Sequence, residues 1–116
     1  METLDQNELK SAEENGLKYL KEKYFCKISV LRCDFLSDLY KQYPYGHAMP
    51  CDRLTVGQEF ISKSRWESPE GLCVWAWRDL LPVIQSFHEG RETPAIQCCT
   101  DGLRPVTFKM ERIEVK

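Results

Sequence analysis

The apolar positions of this chain follow two periodicities. From Leu72 to Phe87 they recur at helical spacing. At about 100° per residue, Leu72, Val83, Ala76, Phe87, Leu80, Cys73, Ile84, Trp77, Leu81 and Val74 fill one broad arc, and Arg78, Asp79, Gln85, Ser86 and Glu89 fall opposite. The pattern predicts a helix with one face in a core. Its start reads as Ser68 at the N-cap, Pro69 in the first helical position and Glu70 facing the positive end of the helix dipole. Cys73 then falls mid-arc, one turn in. Trp75 falls on the polar side, next to Arg78 and Pro82. Pro82 lacks an N–H and crowds the preceding turn, so a kink is expected there. Gly90 is a natural stop.

The rest of the chain alternates in shorter runs. Leu9, Ala12, Leu17, Leu20 and Tyr24 predict an amphipathic helix over residues 6–24. Residues 25–33 read as a strand with Cys26, Ile28 and Val30 on one face. Asp34 is placed to cap a short helix over residues 35–43, which Pro44 ends. Residues 44–53 form a loop whose aromatic and apolar content suggests that it packs down on the domain. Val56 and Gly57 bend into a strand over residues 58–61. A further strand is expected over 95–100, a turn at Asp101-Gly102, and a long strand over 106–115. The apolar phase shifts there from Val106, Phe108 and Met110 to Ile113 and Val115, so a bulge or a twist is expected near Glu111-Arg112. The sum is an α+β domain at 25–116, with about four strands in a mostly antiparallel sheet, open or barrel-like, and one main core helix. Residues 1–24 are read as an added helix, docked on the domain or on a second subunit.

Composition narrows the function classes. One domain is expected from 116 residues, of which 42% are hydrophobic and 29% charged. The net charge of −2 argues against a nucleic-acid binder that relies on a basic field. No apolar run reaches the length of a membrane span. Met1 to Lys10 is polar and acidic, unlike a secretory signal. With no signal read there, the six cysteines suggest the cytoplasm and reduced thiols.

Two dense motifs stand out. One is Pro69-Glu70-Gly71-Leu72-Cys73-x-Trp75-Ala76-Trp77-x-Asp79-Leu80. The other is Cys98-Cys99-Thr100-Asp101-Gly102-x-Arg104-Pro105-Val106-x-Phe108. With Cys26-Lys27-Ile28-x-Val30-Leu31 and Val56-Gly57-Gln58-Glu59-Phe60, they make residues 25–116 resemble a small bacterial and archaeal domain family of unknown function. The resemblance implies one compact cytosolic domain and directs attention to Cys51, Cys73, Cys98 and Cys99. It implies no mechanism.

Three constellations carry candidate chemistry. His47, Cys51, Cys73 and one of Cys98 and Cys99 are ligand types that zinc prefers. Their spacing matches no standard zinc pattern, and no C-x-x-C pair occurs. Adjacent strand residues point to opposite faces, so only one of Cys98 and Cys99 faces inward. The same thiols suggest a reactive site, with Cys51 beside His47 and Arg53 the accessible nucleophile. The plain alternative is packing, since free cysteines behave as small buried apolar residues. Finally, Trp75, Arg78 and Arg104 are candidates for the rim of a ligand pocket, with Trp75 and Arg78 stacked and Arg104 offered to a phosphate or carboxylate. His88, at the edge of the apolar arc, reads as a structural histidine. The leading expectation is a binding or interaction domain without catalysis, open to a small ligand or to homo-oligomers. The alternative is a thiol site, metal-binding or redox. Any site should lie where the main helix begins, beside the 44–53 loop and Cys98-Cys99.

Overall fold

A computed structural model describes residues 22–115. Strand β1 (Tyr24–Cys33) is followed by helix α1 (Ser37–Gln42), strand β2 (Glu59–Ser62), helix α2 (Val74–His88), strand β3 (Ala95–Cys98) and strand β4 (Val106–Glu114). The sheet order is β2-β1-β4-β3, with every neighbouring pair antiparallel. Among the described residues β2 and β3 are the sheet's edges, so the sheet is open and not closed into a barrel. The architecture is α+β, with α2 laid across one face.

Alternation builds the core. Cys26, Ile28 and Val30 of β1 and Val106, Phe108 and Met110 of β4 are all buried on the α2 side. Ala76, Leu80, Ile84 and Phe87 form the stripe of α2 that meets them. Burying a Leu or Phe side chain contributes about 1.5–3 kcal/mol, so each large side chain of this two-layer contact stabilises the fold substantially.

The main helix begins later than Ser68. Leu72 N–H donates to Pro69 O at 3.2 Å, and Gly71 has φ +85°. That is a turn with a left-handed third residue, which no helix can include. Cys73 becomes the N-cap, and Trp77 N–H donates the first helical bond to Cys73 O at 2.9 Å. Cys73 is therefore half-buried at the helix mouth and not mid-arc, and Val74 is exposed. The helix continues through Pro82 to His88. It closes with Gly90 N–H on Phe87 O and Arg91 N–H on Ser86 O, both at 3.0 Å, and Gly90 at φ +107°.

The bulge lies on β1, not near Glu111. Pairing runs in step from Tyr24↔Glu114 to Val30↔Phe108, then skips to Arg32↔Thr107. Leu31 is the extra residue. The phase shift in β4 has another cause: Ile113 pairs with Phe25 on the face away from α2. The bulge reverses the alternation, so Arg32 turns out to bond Asp34 at 2.7 Å and Cys33 turns in beside Val106. Asp34 is thus engaged with Arg32 and does not cap α1, whose N-cap Leu36 has no side-chain bond.

Two further expectations change. The 44–53 loop is largely exposed, with Tyr45 at 81% and His47 in solvent, and only Cys51 is half-buried. Of the expected helix over residues 6–24, residues 6–21 lie outside the described region, and Tyr24 belongs to β1. His88 is buried, as a structural histidine should be. Its Nδ1–H donates to Tyr24 O at 2.7 Å, and Nε2 lies 2.9 Å from Ser62 Oγ. Beside it, Glu22 holds Arg65 through Nε at 2.9 Å and Nη2 at 3.2 Å.

Candidate functional site

The bulge, the turn before α2 and the β3–β4 turn all point side chains to one end of the core. There, a cavity of about 640 Å³ opens between the start of α2, the 44–53 loop and the β3–β4 turn. Cys51, Cys73, Cys99, Trp75, Arg53 and Arg104 stand in its wall.

Each reaches it for a local reason. Cys99 follows β3, and its N–H donates to Val106 O at 3.1 Å while its Sγ accepts from Val106 N–H at 3.4 Å. Cys98, one residue earlier, points away and is exposed. Thr100 N–H donates to Asp79 Oδ2 at 2.9 Å, which fastens this strand end to α2. Asp101 Oδ1 accepts from Leu103 N–H at 3.0 Å and from Arg104 N–H at 2.9 Å, the self-bonded turn expected of Asp-Gly. That turn sends the Arg104 side chain inward, leaving it 14% exposed.

Arg104 is incompletely satisfied. Its Nη2 donates to Pro50 O at 3.1 Å and lies 3.7 Å from the exposed carboxylate of Asp52. Its Nε is fully buried and has no hydrogen-bond partner among the described residues. The mouth of α2 is likewise open. It has no side-chain cap and no acidic residue in its first turn, so its first N–H groups lack the usual partners. Helix N-termini of this kind favour anions. Asp101 also borders the cavity, but one of its oxygens is occupied by two backbone donors.

The sequence candidates divide cleanly. Cys51, Cys73, Cys99, Trp75 and Arg104 share the cavity wall. His47 and Cys98 are exposed outside it, and Arg78 lies over the Trp75 ring at 5.0 Å, stacked there without reaching the wall. Among the described residues, no group of three His, Cys, Asp or Glu side chains is placed to hold a metal ion. Sequence reasoning missed Cys33, whose inward position depends on the bulge. Its thiol donates to Leu54 O at 3.7 Å, and burial, then the neighbouring Cys51, Asp34 and Cys99, push it above the usual thiol range. Tyr45, an aromatic of the 44–53 loop, also lines the cavity. No helix among the described residues is long and apolar enough to cross a membrane. No protein-family model, curated protein or solved structure matches this chain.

Proposed function

We propose that the protein is a small cytosolic binding domain whose cavity takes a small organic anion, a carboxylate or phosphate ester with a flat apolar body. The observation that carries this reading is Arg104, a largely buried side chain whose Nε has no partner among the described residues, in the same cavity wall as an uncapped helix mouth. The anionic group would take the free N–H groups of α2 and the Arg104 donors, and Arg53 adds positive charge. The half-exposed ring of Trp75 offers a face for the apolar body. No nucleophile–base–orienter set borders the cavity among the described residues, so the reading includes no catalytic step. The test is calorimetric titration with phenyl phosphate, benzoate and inorganic phosphate, in wild type and Arg104→Gln. Saturable binding of the aryl anions that Arg104→Gln weakens at least tenfold supports the reading. Equal affinity in the two proteins removes it.

A second reading is thiol chemistry, favoured by the meeting of Cys51, Cys73 and Cys99 in one wall. Six unpaired cysteines support a reducing compartment for either reading. A role for residues 1–21 in self-association is tested by sizing the protein with and without them. An unchanged oligomeric state removes that role.

A further inference from the structure

Cys33 and Cys51 are neighbours at the cavity end of the core, on two segments of different character. Cys33 ends a strand and is fixed by its pairing with Val106. Its Sγ points along the chain toward Leu54 O, three residues from Cys51. Cys51 sits in an irregular loop with exposed neighbours on both sides, and both thiols pack against the core. We infer that Cys33 and Cys51 are a redox pair, which a peroxide joins in a disulfide that ties the 44–53 loop to the end of β1.

The other thiols fit less well. Cys33 and Cys99 flank Val106 on one face of the sheet. Two strand spacings separate their backbones, about 9.5 Å, and bridging needs Cα atoms within about 7 Å. Both are held by ladder bonds, so neither can close that gap. Cys26 is fully buried, and burial pushes its thiol to about 12. Cys98 lies on the opposite face. Cys51 and Cys99 are the cysteines whose charges act on the Cys33 thiol, and of these two Cys51 has a loop backbone free of ladder bonds.

The inference rests on the thiol reading of the cavity and assigns the two sulfurs different roles. Cys51 stands in the cavity wall, where a small oxidant reaches it. Its thiolate attacks one oxygen of hydrogen peroxide, the O–O bond breaks, and the departing hydroxide takes a proton to leave as water. Cys51 is left as a sulfenic acid. Partial burial holds the Cys33 thiol above the usual thiol range, which favours its protonated form until then. Its sulfur next attacks the Cys51 sulfur, the S–O bond breaks, and the departing hydroxide leaves as water with the Cys33 proton. Two thiols lose two electrons and two protons, and one peroxide becomes two waters. The disulfide would also fix Pro50, whose carbonyl holds Arg104.

The experiment is a non-reducing peptide map of the full chain after titration with hydrogen peroxide and alkylation of the remaining thiols. The expected result is one new species, the Cys33 peptide joined to the Cys51 peptide, restored by dithiothreitol. A Cys33→Ala variant should stop one step earlier, with dimedone labelling Cys51. A bridge from Cys51 to Cys73 or Cys99 overturns the assignment, as does complete alkylation of all six thiols after peroxide. The wild-type map requires no variant to fold. It also uses no anion, so its failure leaves the phenyl phosphate titration as a separate result.

Discussion

Replacing Arg104 by Met separates a side chain kept for a ligand from one kept for the fold. The substitution removes a charge-assisted bond to Pro50 O and a 3.7 Å approach to the exposed Asp52. The first is worth about 1.5–3 kcal/mol and the second at most about 1 kcal/mol. It also removes a buried donor without a partner, whose desolvation costs about 1–3 kcal/mol. Met occupies much of the same volume with no polar atom to satisfy. The terms nearly cancel, so the expected stability change is within about 1 kcal/mol of zero, or about 4 °C in Tm for a domain of this size. Ligand stabilisation should behave differently. An anion at a hundred times its Kd adds about 2.7 kcal/mol to the wild type, and the same concentration should leave Arg104→Met nearly unmoved. Urea melts with and without phenyl phosphate supply all four numbers. A loss above about 2 kcal/mol in the ligand-free variant would refute the reasoning, because Arg104 would then be a structural residue.

Further outcomes follow from the same geometry. Leu80→Ala opens the fully buried contact between α2 and the sheet, so a loss of about 2–5 kcal/mol is expected in chemical denaturation. Gly71→Ala forces a side chain into φ +85°, for an expected loss of about 1–2 kcal/mol by the same measurement. Burial raises the Glu22 carboxyl, but the Arg65 hydrogen bonds and the charges of His88 and Arg65 outweigh it, leaving the carboxyl below its ordinary range. Its stabilisation is therefore present above the ordinary carboxylate range and lost as pH falls through the lowered value. Urea midpoints of wild type and Glu22→Gln should converge on acidification, and parallel profiles would contradict this.

Much of the fold was legible because alternation and helical spacing are local. The inner faces of β1 and β4, the α2 stripe and the Gly90 stop all follow from neighbours a few residues apart. The start of α2 is not legible locally, because Ser68-Pro69-Glu70 carries real start signals and the left-handed Gly71 after them forbids their use. The loop departs from its expected packing because its apolar side chains find no core to enter: Tyr45 and Met49 remain exposed. For the candidate site, the meeting of the α2 start, the 44–53 loop and the Cys99 segment was anticipated. Its membership was not. Exposed His47 and Cys98 had the right chemistry, and Cys33 was overlooked.

The sequence by itself determined which faces are apolar, that the chain folds as α+β, and that Asp101-Gly102 turns back toward the core. Tertiary structure alone decided which polar groups and thiols meet. A single extra residue, Leu31, reverses the pleat and brings Cys33 inward. The register of β3 against β4 selects Cys99 over Cys98 for the core side. The approach of the loop leaves Arg104 largely covered, with only part of its bonding capacity used among the described residues. Faces are set by side-chain period, which is local. Register, bulges and burial arise when distant segments settle against one another, and composition does not encode them.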